Sequence, residues 1–294
     1  MIFNRSQQPI LVAKENTFYS EGVTGLGIVP YQSKWFGYIC GMSNGSETIG
    51  VCQWESYPDG SAPDSIHSNP VLLGGSPGDF DELHVCDPAL AKVGNAVYMY
   101  YSGLGKGLDS IGLATSQNGI DFTKKGLVLT GRAPDILFKN GSFHIFYVLD
   151  NAKGGYDVFS AVSDDGIHFK KIEQPVIAAQ DGWDGFTVTT PRLIDCGEYV
   201  YCFYCGGSDS KDIPSGVGVC RSKDLISWDR YSGKVLECGS AGSPDADAVW
   251  LPTAFVHDGH VHLLYEGGCL NSRGVYLSSI CHAAAPLTEL AALF

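Results

Sequence analysis

Along most of the chain, apolar and polar residues alternate with a period of two, the signature of half-buried strands, and helical periodicity is almost absent. Five segments follow one order: a proline, an apolar run, a short polar turn, then an aromatic-rich run. They are "GIVPYQSKWFGYICGM", "CDPALAKVGNAVYMYYSG", "APDILFKNGSFHIFYVLD", "TPRLIDCGEYVYCFYCGG" and "LPTAFVHDGHVHLLYEGG". Each reads as a hairpin. In "KNG" and "HDG" the glycine accepts the positive φ that a tight turn demands. The marker prolines are Pro30, Pro88, Pro134, Pro191 and Pro252, spaced 58, 46, 57 and 61 residues apart.

A third strand follows the middle hairpins in "SIGLATSQNGIDF", "DVFSAVSDDGIHF" and "GVGVCRSKDLISW". A fourth, short one follows in "NPVLLGG", "GLVLTG", "QPVIAAQ" and "GKVLECG". Four strands per unit and five units predict an all-β chain, a five-bladed β-propeller forming one domain over residues 1–294. The fifth unit has a third strand, "RGVYLSSI", but no fourth, and the missing pattern stands at the N-terminus in "QPILVAKE". Residues 1–15 are therefore expected to supply the outer strand of the last blade and close the ring, which removes exposed strand edges. The apolar tail at 283–294 is expected to strap the surface or meet a partner.

Composition narrows the function. A net charge of −13 with no cluster of Lys and Arg argues against nucleic acid or an anionic membrane as partner, since both need a basic surface. No apolar run approaches the roughly 18 residues of a membrane span. The N-terminus shows no basic head followed by a long apolar stretch. A cytoplasmic, reducing location is thus the expectation, with secretion of a trimmed chain as the alternative. Several of the ten cysteines sit inside apolar runs and read as small core residues. Cys202 and Cys205, three apart on a strand, point to opposite faces, so no metal site is expected there, nor any cofactor.

In a propeller the inner strands converge on the axis, and comparing the repeats separates scaffold from chemistry. Asp81, Asp184 and Asp245 all stand seven residues before a marker proline, and Val85, Val188 and Val249 stand three before it. Recurrence points first to a shared loop in which Asp accepts backbone N–H groups. Asp184, beside Trp183, is the member carried forward as a site candidate. The residues flanking the prolines do not recur: Asp87, Arg132, Asp135, Arg192 and Trp250 form a mixed set of charges and one indole. Charges at the end of a packed barrel are costly unless paired or used. A structural Arg–Asp network and a sugar-binding surface with Trp250 as its stacking platform both remain open. His84 reads as structural.

"CDPALAKVGNAVYMYYSG" resembles the blade motif of the five-bladed glycoside hydrolases, especially family 43 and its fructosidase-like relatives. In those enzymes an Asp before Pro on an inner strand is the general base or nucleophile, which the resemblance places at Asp87. "RAPDILFKNGSFHIFY" is similar to the family's next blade, with Arg132 where Trp is usual, and the "S-x-DG-I-x-F" outer segments are also typical. The resemblance spans the whole chain as architecture, but its motifs match only at Asp87 and residues 133–135. It departs at Thr190 and Trp250, where the family would carry carboxylates, and one blade precedes the Asp–Pro unit.

Glycoside cleavage needs one protonated and one ionised carboxyl group. The missing partner is sought among Glu82, Asp184, Asp245, Asp247 and Glu266. Asp247, unique to its blade and five residues before Pro252, is the preferred acid, with Asp184 the alternative. Arg132, Asp135, Arg192, Trp250, Glu82 and Trp183 are the expected substrate contacts. The function expected is a glycosidase acting on a furanose or pyranose glycoside. The alternatives are a non-catalytic carbohydrate-binding propeller and a phosphorylase or transferase in which Arg132 and Arg192 clamp phosphate.

Overall fold

A computed structural model of the chain describes residues 3–210 and 212–294. They form five antiparallel sheets arranged as blades around one axis. Blade 1 comprises Gly22–Tyr31, Lys34–Ser43, Ser46–Trp54 and Ser65–Ile66; blade 2 comprises His84–Val93, Ala96–Leu104, Ser110–Ser116 and Thr123–Thr130. Blade 3 runs through Arg132–Lys139, Ser142–Asp150, Tyr156–Ser163 and Lys170–Lys171. Blade 4 has Thr187–Asp195, Val200–Gly207 and Gly216–Ser222, then the outer pieces Asp229–Arg230 and Leu236–Glu237. Blade 5 has Ala248–His257, His260–Leu270 and Tyr276–Pro286. Its outer edge is made by Asn4–Arg5 and Leu11–Val12, which pair with Tyr276–Pro286. The N-terminal segment thus closes the ring.

The first strand of each blade packs against the first strands of its two neighbours, so all five surround the axis. Apolar burial lies elsewhere. Five buried clusters fill the five gaps between adjacent blades, for example Val29 and Val85 between blades 1 and 2, and Val249 with Phe203 between blades 4 and 5. Cys202 and Cys205 pack into different clusters, as strand alternation requires. Because the fold buries its hydrophobic faces between blades, the axis is free to carry polar groups.

Each inner strand has a bulge, two residues facing one on its partner. In blades 2 to 5 the first bulged residue has positive φ and precedes the marker proline: Asp87 (φ 51), Ala133 (φ 47), Thr190 (φ 50) and Leu251 (φ 47). This strained conformation recurs with four different side chains, so it belongs to the scaffold and marks no chemistry by itself. Blade 1 differs from the sequence expectation. Its bulge falls at Thr24–Gly25, whereas Pro30 pairs with Trp35 near the hairpin end and is exposed. The turns in "KNG" and "HDG" do adopt positive φ at both central residues.

The recurring aspartates staple the blades. Asp81 accepts bonds from Tyr101 Oη (2.8 Å) and Lys124 Nζ (2.6 Å). Asp184 does so from Tyr204 Oη (3.0 Å) and Arg230 Nη2 (2.6 Å), and Asp245 from Tyr265 Oη (2.8 Å) and Arg5 Nε (2.7 Å). In each, a loop carboxylate ties the second strand to a cation on the outermost strand. In blade 5 that cation, Arg5, belongs to the closing N-terminal segment. Residues 283–286 continue the third strand of blade 5; beyond them a short helix, Leu287–Ala291, buries Leu290, and Phe294 packs on Tyr201 and Arg221 of blade 4.

Candidate active site

Each inner strand runs along the axis, so residues before and after its bulge sit at different depths. Residues at or just before the bulges open onto one cavity of about 390 Å³, within the range of small-molecule sites of about 300–1,000 Å³. Three of the carboxylates that line it stand on strands of three different blades: Glu47, Asp87 and Glu266. Arg132, Tyr156, Trp250, Thr190 and, at the exposed rim, Asp212 complete its polar lining. Thr190 Oγ1 is buried there with no hydrogen-bond partner.

Asp87 is held from two sides. Its N–H donates to Cys40 Sγ (3.1 Å), and its Oδ2 accepts from Ser102 Oγ (2.7 Å). The Ser102 oxygen in turn accepts the Ala133 N–H (2.8 Å), which leaves the hydroxyl proton to Asp87. Arg132 donates from Nη1 to Tyr156 Oη (2.9 Å) and lies over that ring. Burial pulls the Arg132 pKa down, but the charge of Asp87, with Tyr156, more than offsets this and keeps the guanidinium charged.

Glu266 is the other pole. It sits on the second strand of blade 5 opposite Trp250, is 5% exposed, and accepts one bond from Tyr276 Oη (3.2 Å). Burial pushes its pKa up to about 8; the Tyr276 bond opposes this, and the charges of Glu47 and Asp87 add to it. At neutral pH Glu266 is therefore a protonated acid inside a cavity that holds Asp87. Glu47 is raised as well, by burial and then by Asp87, against the Thr24 hydroxyl that bonds its Oε1 (3.1 Å). His84 Nδ1 accepts the Glu47 backbone N–H (3.1 Å), which fixes its tautomer and gives it a structural place beside the cavity.

The fold brings together Asp87, Arg132 and Trp250 from the sequence-derived set, and adds Glu266 from the wider group of carboxylates considered. It sends the others elsewhere. Asp184 is the blade 4 staple, and Trp183 stacks on Tyr204 beside it. Asp247 is exposed and accepts the Leu270 N–H (2.7 Å), capping a loop. Glu82 accepts the Gly78 N–H (2.5 Å) in the loop preceding blade 2. Asp135 and Arg192 follow their prolines and face a second, smaller cavity deeper along the axis. Arg132 and Arg192 therefore do not form one anion clamp. Glu47, which lines the main cavity, escaped sequence reasoning because a charged residue opening a strand in "SETIG" looks like a turn residue. Glu266 had a usable signal: opposite the residue before the bulge, the other blades carry Gly41, Ser102, Val148 and Cys205.

No family model matches the chain. A 1,2-β-oligomannan phosphorylase of Thermoanaerobacter sp. (strain X514) is 29% identical over 123 residues, a match spanning 40% of this chain and 40% of that relative. Among solved structures, a β-1,2-mannobiose phosphorylase from Listeria innocua superposes with a TM-score of 0.78 at 14% identity, covering 100% of this chain and 99% of that one. A putative glycoside hydrolase from Parabacteroides distasonis ATCC 8503 gives a TM-score of 0.76 at 13% identity, covering 95% of each chain. The chain shares the fold of these proteins. Family 43 is not singled out within that group.

Proposed function

We propose that this propeller is a carbohydrate-active enzyme that cleaves a glycosidic bond in its axial cavity by hydrolysis. Glu266 acts as the general acid, and Asp87 as the carboxylate that activates water or attacks the sugar. The observation that carries this reading is the pairing, in one buried cavity, of a carboxyl raised to about 8 with an aspartate held by Ser102 and faced by Arg132. Two carboxyl groups whose surroundings differ in this way suit acid and base roles in glycoside cleavage. Trp250 offers an apolar face to a sugar ring.

Phosphorolysis is the second reading, supported by the names of the mannoside phosphorylases that resemble the chain. The lining favours hydrolysis: among the described residues Arg132 is the cation of the cavity, set against Glu47, Asp87, Glu266 and Asp212. A phosphate dianion calls for more positive charge than that. All ten cysteines are free, in keeping with the reducing, cytoplasmic location proposed for the chain. The test is incubation with β-1,2-mannobiose and a panel of aryl glycosides, with and without inorganic phosphate. Release of free sugar without phosphate supports hydrolysis, and sugar phosphate formed only with phosphate moves the reading to phosphorolysis. Binding without turnover would refute both.

A further inference from the structure

Beside the carboxylate cavity lies a groove of about 130 Å³ between blades 2 and 3, and Arg132 and Tyr156 line both spaces. Its other polar walls are Asp109, which precedes the third strand of blade 2, and Asp150, which ends the second strand of blade 3. Leu108 lines it as well. These side chains have surface that a ligand can reach: Leu108 is 77% exposed, Asp109 and Arg132 are 43% and 38% exposed, and Asp150 is exposed. Asp109 Oδ2 stands 3.9 Å from Arg132 Nη1, beyond hydrogen-bond reach, so its carboxylate keeps acceptor sites for another donor. The walls are fixed through the backbone. The Leu108 carbonyl accepts the Ser110 hydroxyl (3.0 Å), and the Asp109 carbonyl accepts the Gly131 N–H (2.9 Å). Asn151 ties down the loop after Asp150: its Oδ1 accepts the N–H groups of Lys153 and Gly155 (both 3.0 Å), and its Nδ2 donates to the carbonyls of Tyr156 and Phe186 (both 3.1 Å).

We propose that this groove is a subsite for a second, uncharged sugar unit, which makes the substrate an oligosaccharide rather than the glycoside of a small alcohol. The inference rests on the axial cavity holding the first unit, as in the proposed reaction. Because Arg132 and Tyr156 belong to both spaces, a unit in the cavity places its neighbour in the groove. A sugar ring carries hydroxyl groups around its edge and C–H groups on its faces. Asp109 and Asp150 accept from the hydroxyls, and Leu108 covers a C–H face, the mixture of apolar wall and few polar groups that fixes a small ligand. Charge selects the class. Two carboxylates line the groove, and the guanidinium of Arg132 is already set against Asp87 and bonded to Tyr156. A second unit that is a uronic acid or a sugar phosphate meets like charge there. Walls fixed before binding also reduce the ordering cost of holding the unit.

The test measures binding apart from turnover. Calorimetric titration of the Asp87→Asn chain compares a panel of neutral disaccharides, β-1,2-mannobiose among them, with the methyl glycosides of their first units. The best disaccharide is expected to bind about tenfold or more tightly than its methyl glycoside. Asp109→Ala and Leu108→Ser, each added to this chain, are expected to cut that advantage to about threefold or less and to leave the methyl glycoside's affinity unchanged. A disaccharide whose second unit is a uronic acid is expected to show no advantage. Equal affinity for disaccharide and methyl glycoside overturns the proposal, as does an advantage that survives both substitutions together or is larger for the uronic acid. The wild-type chain is then assayed with the best-bound disaccharide. Binding that depends on Asp109 and Leu108 without cleavage defeats the proposed reaction and leaves the subsite standing; cleavage that ignores both substitutions does the reverse. Absence of all sugar binding overturns both.

Discussion

Replacing Glu266 by Gln separates the proposed acid from an ordinary buried residue, because it changes stability and activity in opposite directions. Folding raises the carboxyl of Glu266 from the ordinary 4.5 to about 8. For a carboxyl shifted upward, the folded state holds its proton over a range where the unfolded chain has lost it. Stability is then full below about 4.5, falls as the pH rises, and levels off above about 8. Each pH unit in that window costs about 1.4 kcal/mol, an upper limit of about 4–5 kcal/mol over the window. Relaxation and water entry around the ionised group reduce this to about 2–4 kcal/mol. Glu266→Gln keeps the shape and can still accept the Tyr276 bond, but it has no proton to lose. In urea titrations at about pH 5, 7 and 9, the variant is expected to match the wild type at pH 5. At pH 9 it should exceed the wild type by that amount, with a Tm higher by roughly 3–7 °C. On the same substrate kcat/KM falls by about 10²–10⁴-fold, the usual worth of a general acid. The wild-type profile should also lose activity as the pH rises through about 8. Stability curves of variant and wild type that run parallel from pH 5 to 9 would refute the reasoning, since Glu266 would then not be a buried, protonated acid.

Asp87→Asn preserves an acceptor for Ser102 and should leave Tm within about 1–2 °C, while lowering kcat/KM by about 10²–10⁴-fold; turnover at the wild-type rate removes Asp87 from the chemistry. Asp184→Asn should do the reverse. It strands the largely buried Arg230 charge and is expected to cost about 3–5 kcal/mol in urea denaturation, with kcat/KM of the folded protein unchanged. Wild-type stability with lost activity would return Asp184 to the active site.

The architecture was legible because five copies of one pattern average out local accidents. Strand alternation, the hairpin turns at Asn140–Gly141 and Asp258–Gly259, and the fourth-strand pattern displaced to the N-terminus all describe backbone, and backbone is what the repeat preserves. The error came where one unit broke the pattern. Pro30 has the spacing of a marker, but blade 1 makes its bulge with Thr24 and Gly25, neither of which takes the positive φ seen in the other four blades, and no proline stands there to announce it. The short outer strands were harder to bound, because their pairing is interrupted: Ile49 bridges Leu72 and Val158 bridges Ile177 outside any continuous strand.

The site was only partly legible, for a geometric reason. Sequence comparison grouped all residues around each proline as one ring, but the inner strand runs down the axis, so three residues are a change of depth. Asp87, Arg132 and Trp250 precede or open their bulges and face the upper cavity; Asp135 and Arg192 follow theirs and face the lower one. The resemblance would put the second carboxyl on the same strands, at Thr190 and Trp250; Glu266, one of the five carboxylates considered in its place, enters the cavity from the neighbouring strand, whereas the preferred Asp247 does not reach it. Trp250 stands directly opposite Glu266, so the carboxylate missing from the inner strand reappears one strand out on the same rung of the same blade. Burial on the second strand, opposed by the Tyr276 bond and reinforced by the charges of Glu47 and Asp87, holds Glu266 near 8. The substitution at Trp250 thus fits the acid function having moved to Glu266 rather than having been lost.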